Sequence, residues 1–186
     1  MNDSKQGDAH LVETQIASEV TFKGKLLEVR SDKVKLPNGG TGTREFVVHP
    51  GAVLVVPVLD DGRLVMERQF RYPLKRVMLE FPAGKLDEGE SPLVCGKREL
   101  EEEAGYTAAK WRRLGVIHPE IGYSNEFIEM YEATGLTHVG QRLDEGEFLD
   151  IVAMSEDELL ATYDCGGFTD GKSVAALFAW RRSKGK

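Results

Sequence analysis

Four glutamates lie within five consecutive positions of the segment RELEEEAG, near the middle of the chain. The helical repeat places Glu99, Glu102 and Glu103 on one stripe, at i, i+3 and i+4, and points Glu101 elsewhere. Like charges on neighbouring turns repel and weaken a helix, so something must offset this cost. Mg²⁺ and Mn²⁺ favour such oxygen ligands, whereas a solvated charged face is the alternative interpretation of the glutamate run.

Local signals predict that these glutamates lie on a helix. Ser91 has the side chain of an N-cap, Pro92 suits the first helical position, and Gly105 can end the helix in a left-handed conformation. The adjoining apolar stripe, which we expect to face a core, contains Leu93, Leu100 and Ala104. Carboxylates beside a buried stripe lose hydration, so a bound cation would favour their charged form.

Composition limits the classes of function that the chain can serve. Its 186 residues suffice for one domain with a core and a small extension. The net charge of −7 argues against sequence-independent nucleic-acid binding. No apolar run reaches membrane-spanning length, and the polar N-terminus lacks a signal-peptide core. The two cysteines form no metal-type CxxC pair, and two free thiols fit a reducing cytoplasm.

The pattern of strands and helices predicts three segments. Residues 1–18 are expected to form a flexible tail, residues 19–49 an antiparallel strand extension with a loop at Pro37–Gly42, and residues 50–183 the main domain. In the main domain, Asp60-Asp61-Gly62 predicts a hairpin turn.

Further segments of the main domain have the patterns of strands and helices. The segments predicted as strands are VMLEFPAG, 111–118, 126–133 and FLDIVAM. The segments predicted as helices are 156–163, after a capping box at Ser155, and 171–182, with Asp170 as the cap. Strands on both sides of a central helix, followed by two helices, predict an α+β or three-layer α/β/α domain.

The glutamate segment resembles the Nudix box, G-x5-E-x7-R-E-U-x-E-E-x-G-U, in which U is apolar. The matching residues are Gly84, Glu90, Arg98, Glu99, Leu100, Glu102, Glu103, Gly105 and Tyr106, of which the last is usually aliphatic in the family. A pattern of this length is far more specific than a lone GxGxxG. Segments 43–53, 67–73, 79–90, 144–159 and 170–180 resemble the ADP-ribose pyrophosphatase-like branch of the Nudix hydrolases, so the resemblance runs from about Phe22 to Trp180.

This resemblance implies a fold and a reaction. The implied fold is the Nudix α/β/α sandwich, with a mixed central sheet and an N-terminal antiparallel strand extension that crosses between the subunits of a homodimer. The implied reaction is the Mg²⁺-dependent hydrolysis, with Mn²⁺ as an alternative, of the pyrophosphate bond of ADP-ribose or a related small-molecule nucleoside diphosphate sugar. Its products are a nucleoside monophosphate and a sugar phosphate.

The resemblance also assigns roles to individual residues. The implied metal ligands are the Ala83 backbone carbonyl, Glu99, Glu102 and Glu103. The implied catalytic residues are Glu102, which takes a further metal or positions a water, Arg98, which supports the glutamates with Glu90, and the base Glu147, with Glu145 as the alternative. The implied substrate contacts are Arg44, Arg71 and Glu80. The alternative for the loop bases is an acidic surface loop, and for the substrate contacts it is structural ion pairing.

One departure from the family concerns specificity. ADP-ribose-specific members usually carry a proline sixteen residues after the last box glycine, where this chain has Ile121. GDP-mannose hydrolysis and broad nucleotide-sugar hydrolysis therefore remain alternatives. A non-catalytic nucleotide-binding module is a further alternative, although such proteins commonly lose box glutamates that this chain retains.

Overall fold

The computed structural model describes residues 7–185 and divides them into two compact units. The N-terminal unit contains residues 7–49 and 120–126, and the second unit contains residues 50–119 and 127–185. No helix in the described part of the chain is long and apolar enough to cross a membrane.

The N-terminal unit is a three-stranded antiparallel sheet in the order β1-β2-β3. Its strands are β1 (Thr14–Lys23), β2 (Glu28–Lys35) and β3 (Thr41–Val48). Strand β1 begins inside the segment that was expected to be a tail; residues 1–6 of that segment lie outside the described residues. The predicted Pro37–Gly42 loop connects β2 and β3, although β3 already begins at Thr41.

The second unit contains a seven-stranded mixed sheet. Five of its strands are paired in the order β10-β5-β4-β9-β8, and the other two lie off this path, with β6 paired to β5 and β7 paired to β4. The strands are β4 (Ala52–Val58), β5 (Leu64–Arg71), β6 (Arg76–Glu80), β7 (Ala83–Lys85), β8 (Tyr106–Ile117), β9 (Ile128–His138) and β10 (Leu149–Met154). Strands β4 and β9 are parallel, and the other pairs are antiparallel. The helices are α1 (Pro92–Glu102), α2 (Glu156–Asp164) and α3 (Gly171–Ser183), with a 3₁₀ turn at Tyr72–Leu74.

Helices cover both faces of this sheet, so the predicted α/β/α sandwich is confirmed. All seven residues of β4 are buried, as expected for a strand covered on both faces. The face toward α1 contains Val55, Val65, Leu100, Ala104 and Ala133. The opposite face contains Leu54, Met66 and Phe81 together with Leu159 of α2, Phe168, and Leu177 and Trp180 of α3.

The predicted hairpin turn is present, but its two strands diverge at once. Strand β4 pairs with β5 only at Val58 and Leu64. Pro57 has no N–H to donate, and it lies two residues from Val55, whose N–H donates to the Pro82 carbonyl at 2.9 Å rather than to β5. The gap that opens there admits β7, which pairs with Ala52–Leu54 and leads into α1.

Other predicted elements differ mainly in length. Strand β8 begins five residues before 111, β9 continues to His138 rather than to 133, and VMLEFPAG contains two strands, β6 and β7, instead of one. The predicted caps of α2 and α3 are confirmed. The Ser155–Glu158 capping box opens α2, and the Asp170 side chain accepts from Ser173 N at the start of α3.

Candidate active site on the glutamate helix

Helix α1 positions the box glutamates beside the short strand β7. Ser91 occupies the predicted N-cap position and Pro92 the first helical position, but the Ser91 side chain accepts no cap hydrogen bond. The chain leaves the helix through Gly105, whose φ of +74° confirms the predicted left-handed residue. Cys95 and Gly96 are buried upstream, so small side chains keep this part of α1 close to the sheet.

Arg98 is the charged centre of the helix surface. Its Nε and Nη2 donate to the two Glu90 oxygens at 3.1 and 3.0 Å, and its Nη1 donates to Glu99 Oε1 at 2.8 Å and Glu102 Oε2 at 3.1 Å. The hydrogen bonds from Arg98 lower the pKa of Glu90 to about 2. Arg98 therefore forms ion pairs with Glu90, Glu99 and Glu102, while Glu101 points away and pairs with Arg142.

Glu99 and Glu103 both lie against the backbone of β7. The Ala83 N–H donates to Glu103 Oε2 at 3.0 Å. A β-carbon on Gly84 would lie 1.8 Å from Glu99 Oε1, so only glycine leaves room for that carboxylate. Both glutamates are nearly buried, and burial is the largest of the causes that raise the pKa of each carboxyl. The structure thus brings together Ala83, Glu99 and Glu103, three of the four predicted metal ligands.

Glu67 is a further carboxyl at this site, and the sequence analysis did not identify it. It lies on β5, is 2% exposed, and shares a hydrogen bond with Glu103. Its Oε1 has no hydrogen-bond partner among the described residues. Burial raises the pKa of Glu67, and the pKa of Glu103 is raised by burial and by repulsion from Glu67 and Glu99. Both shifts favour the protonated forms of the two carboxyls.

The donor set of this region fits a hard divalent cation. Its donors are carboxylate and backbone carbonyl oxygens, and the unpartnered Glu67 Oε1 is an oxygen that a cation would satisfy. Among residues 7–185, no three acidic, histidine or cysteine side chains converge on one point as the structure stands. The carboxylates do not converge because each has another partner. Arg98 donates hydrogen bonds to Glu99 and Glu102, and Glu103 is hydrogen-bonded to Ala83 N and Glu67.

A second charged group lies on the adjoining strands. Arg71 donates from Nε to Glu80 Oε1 and from Nη2 to Glu80 Oε2, both at 2.7 Å, and Lys172 of α3 also donates to Oε2. Glu80 faces Glu67 in the β5–β6 register. Burial alone would raise the pKa of Glu80, but the two cations outweigh it and the pKa is lowered. The predicted substrate residues Arg71 and Glu80 therefore pair with each other.

Two other predicted residues lie in loops or outside this unit. Glu147 is half-buried, accepts from Gln69 Nε2 at 3.4 Å, and contributes to the raised pKa of Glu99 and Glu103 by repulsion. Glu145, its alternative, is exposed. Arg44 belongs to the N-terminal unit, where its guanidinium makes a bidentate pair with Glu13.

Two family models match successive parts of the chain. The model described as the nucleoside diphosphate sugar hydrolase N-terminal domain matches residues 13–47, and the model described as the NUDIX domain matches residues 48–176. The chain belongs to the Nudix family. The two matches meet between residues 47 and 48, close to the boundary predicted between 49 and 50.

Curated and solved relatives span most of this Nudix chain. It is 38% identical to an ADP-ribose pyrophosphatase of Bacillus subtilis over 169 residues, which cover 90% of this chain and 91% of that protein. It is 40% identical to a methanol dehydrogenase activator of Bacillus methanolicus over 167 residues, or 89% and 90% of the two chains. A crystal structure titled as an ADP compounds hydrolase superposes with a TM-score of 0.83, at 27% identity, and covers 92% of this chain and 94% of that one.

Glu67 and Lys172 lie outside the Nudix box, and only Glu67 left a signal in the sequence. Glu67 continues the apolar run of Leu64–Met66, which is buried on both faces of the sheet, so a charge at that position had to be buried too. Lys172 lies in the first turn of α3, and its contact with Glu80 depends on the packing of that helix.

Proposed function

We propose that this chain is a metal-dependent hydrolase that cleaves the pyrophosphate bond of ADP-ribose or a related nucleoside diphosphate sugar. Mg²⁺ is the preferred cation of the proposal and Mn²⁺ the alternative. The observation that carries the proposal is the convergence of Glu99 and Glu103 on the backbone of Ala83 and Gly84, with the unpartnered oxygen of Glu67 at the same place. The two family matches and the ADP-ribose pyrophosphatase relative support the same reaction.

In this proposal, the chain's own residues hold the cation, hold the substrate and accept a proton. The Ala83 carbonyl, Glu99, Glu102 and Glu103 would hold the cation. When bound, the cation would neutralise the phosphate oxygens and lower the pKa of the attacking water. Arg71 has the planar fork that suits a diphosphate.

Glu147 is the proposed general base, and Arg98 orients the box glutamates. Repulsion between Glu147 and the carboxylates of Glu99 and Glu103 supports a role for Glu147 beside the proposed cation site. Arg98 binds two of the box glutamates through Nη1 while Glu90 fixes the rest of its guanidinium. A guanidinium that binds the ligands in this way restricts their rotamers.

The test is product formation by the full chain, resolved by chromatography, with Mg²⁺ or Mn²⁺ added. The substrates are ADP-ribose, GDP-mannose, UDP-glucose, NADH and ATP. The expected result is AMP and ribose phosphate, formed mainly from ADP-ribose. Comparable turnover of several nucleotide sugars would show a broad hydrolase, and preferential turnover of GDP-mannose would reassign the substrate. Binding of ADP-ribose without product formation under either cation would indicate that the chain is a nucleotide-binding module and not an enzyme.

We also propose that the chain forms a homodimer through its N-terminal sheet. All ten residues of β1 are exposed, including the apolar Ile16, Val20 and Phe22. An exposed apolar edge strand favours pairing with another chain. A dimer is expected in size-exclusion chromatography with light scattering, and Ile16→Lys with Val20→Lys should shift it to monomer. A monomeric parent chain would refute this part of the proposal.

A cytoplasmic location is supported by the cysteines. Cys95 and Cys165 are both free, and reduced thiols are typical of that compartment. Small-molecule substrates rather than nucleic acid are supported by the net charge of −7. Localisation of a tagged full-length chain by fractionation would test the first point.

A further inference from the structure

Lys172, on helix α3, contacts the carboxylate of Glu80, which is one of the predicted substrate residues. It is the second residue of α3, and its Nζ donates to Glu80 Oε2 and, at 2.9 Å, to Asp170 Oδ2. The Lys172 side chain is 18% exposed, whereas that of Glu80 is 3% exposed. Lysine is almost never buried to this degree unless it is paired, so the contact with Glu80 is a specific feature of the site.

The backbone around Lys172 fixes the place of its ammonium group. Asp170 caps the helix by accepting from Ser173 N at 3.1 Å. Ser173 is fully buried, and its hydroxyl accepts from Phe81 N at 2.8 Å. Lys172 therefore lies between a helix cap and a hydrogen bond to the residue that follows Glu80. This arrangement keeps Nζ close to Glu80 without any contribution from Arg71.

Arg71 and Lys172 form an asymmetric pair of cations on one carboxylate. Arg71 uses Nε and Nη2 on Glu80 and is 41% exposed, while Lys172 is enclosed. If Arg71 alone neutralised Glu80, its departure would leave a buried, unpaired charge, which is strongly unfavourable. With Lys172 in place, Glu80 keeps a charged partner when the guanidinium turns away.

We propose that Lys172 is a positioning residue that holds Glu80 so that Arg71 can turn to the diphosphate of the substrate. This inference rests on the proposed function, since it requires a diphosphate at Arg71. Lys172 acts through Glu80, and it need not touch the substrate itself. The proposal assigns a role in binding to a residue of α3, which is remote in sequence from the Nudix box.

The test compares Lys172→Met with the parent chain in steady-state kinetics with ADP-ribose. Without the ammonium, Arg71 stays on Glu80, so KM is expected to rise at least about tenfold, the effect of one charge-assisted hydrogen bond, with a smaller change in kcat. Lys172→Gln, which keeps a donor but loses the charge, should behave like Lys172→Met. An unchanged KM in both variants would overturn the inference.

A double-mutant cycle separates this role from a structural one. In a Glu80→Gln background there is no charge to hold, so Lys172→Met should change KM by less than about twofold. Equal effects of Lys172→Met in both backgrounds would refute a role through Glu80. Lys184→Met is the matched control, because Lys184 lies on the C-terminal side of the same helix, over the Trp180 ring. Its KM should equal that of the parent chain.

Failure of the proposed function would be distinguishable from failure of this inference. A parent chain that turns over no nucleotide sugar refutes the function. The inference is then tested by calorimetric titration of ADP-ribose with Mg²⁺ present, where Lys172→Met should weaken binding by the same factor. A parent chain that is active and a Lys172→Met variant with unchanged KM refute the inference alone.

Discussion

Replacing Glu67 by glutamine should stabilise the metal-free protein. Glu67 is 2% exposed, its Oε1 has no partner among the described residues, and its neighbour Glu103 is also nearly buried. Glutamine keeps the shape of the side chain, and its amide can donate the hydrogen bond to Glu103. The substitution removes only the ionisable group, and with it the free-energy cost of keeping that group uncharged.

The magnitude follows from the burial of the ionisable group, which raises the pKa of Glu67. An acid whose pKa is raised in the folded state binds more protons there than in the unfolded chain. Its contribution to stability is therefore highest below the unfolded pKa of about 4.5 and is lost as the pH rises above it. A buried polar group without a partner costs the native state about 1–3 kcal/mol. For a chain of this size, removing this cost should raise Tm by about 2–12 °C.

The assay is thermal and urea unfolding of the parent chain and Glu67→Gln in EDTA, at one protein concentration and at several pH values from 4 to 8. The difference in free energy of unfolding should be near zero at pH 4 and should grow steadily above it. Glu88→Gln is the matched control, because Glu88 is exposed. Such a surface change should alter stability by less than about 0.5 kcal/mol at every pH.

Two results would contradict this reasoning. A Glu67→Gln variant that is less stable than the parent chain at pH 7 would mean that the carboxyl makes favourable contacts as an anion. A gain in stability that is independent of pH would mean that packing, and not ionisation, is responsible. Saturating Mg²⁺ should narrow the difference, since a cation at 100 times its Kd stabilises the folded parent chain by about 2.7 kcal/mol and the variant lacks one carboxylate oxygen near the site.

Three further substitutions test the proposed site. Glu103→Gln should fold but lose more than about 100-fold in turnover, because even outer partners of metal ligands are worth about 10–100-fold; kinetics and circular dichroism would check this. Gly84→Ala should weaken Mg²⁺ binding in calorimetry by at least about tenfold, since its β-carbon would fall 1.8 Å from Glu99 Oε1. Glu147→Gln should lower kcat by about 10²–10⁴-fold, and Glu145→Gln should not; equal losses would refute the choice of base.

Gly171→Ala is the control for the Gly84 substitution. A β-carbon on Gly171 would meet no atom within 4 Å, and its φ, like that of Gly84, is not positive. It should therefore bind Mg²⁺ like the parent chain. Normal Mg²⁺ binding by Gly84→Ala would show that Glu99 does not need its present position to hold the cation.

The glutamate helix could be predicted from the sequence because its signals are local. Ser91, Pro92 and Gly105 mark its ends, and the i, i+3, i+4 spacing places the carboxylates on one face whatever the rest of the fold. The contacts of Lys172 could not be predicted in the same way, because Glu80 lies 92 residues away and meets it only through the packing of α3 on the sheet.

The extent of pairing between β4 and β5 could not be predicted from the sequence for a similar reason. A turn at Asp60–Gly62 indicates that β4 and β5 are consecutive, but it does not determine how far they remain paired. The separation depends on Pro57, whose missing N–H weakens that edge of β4, and on β7, which takes the place of β5 there. The position of β7 places Ala83 and Gly84 beside Glu99 and Glu103, so the local irregularity of the sheet builds the site.

The crowding of carboxylates is offset in three different ways across the site. Arg98 forms ion pairs with Glu90, Glu99 and Glu102, and Arg71 and Lys172 form ion pairs with Glu80. Among residues 7–185, no lysine or arginine forms an ion pair with the two buried carboxyls that remain, on Glu67 and Glu103, and the raised pKa of each favours its protonated form instead.

That difference determines which carboxyls a divalent cation would bind most favourably. At Glu99 and Glu102 a cation must compete with the Arg98 guanidinium, whereas at Glu103 it must displace a proton and the hydrogen bond from Ala83 N. The proton is held more weakly as the pH rises, so cation binding should strengthen with pH. Glu103 and the Ala83 carbonyl would therefore hold the cation with the least competition from arginine, whereas Glu99 and Glu102 would have to exchange Arg98 for it.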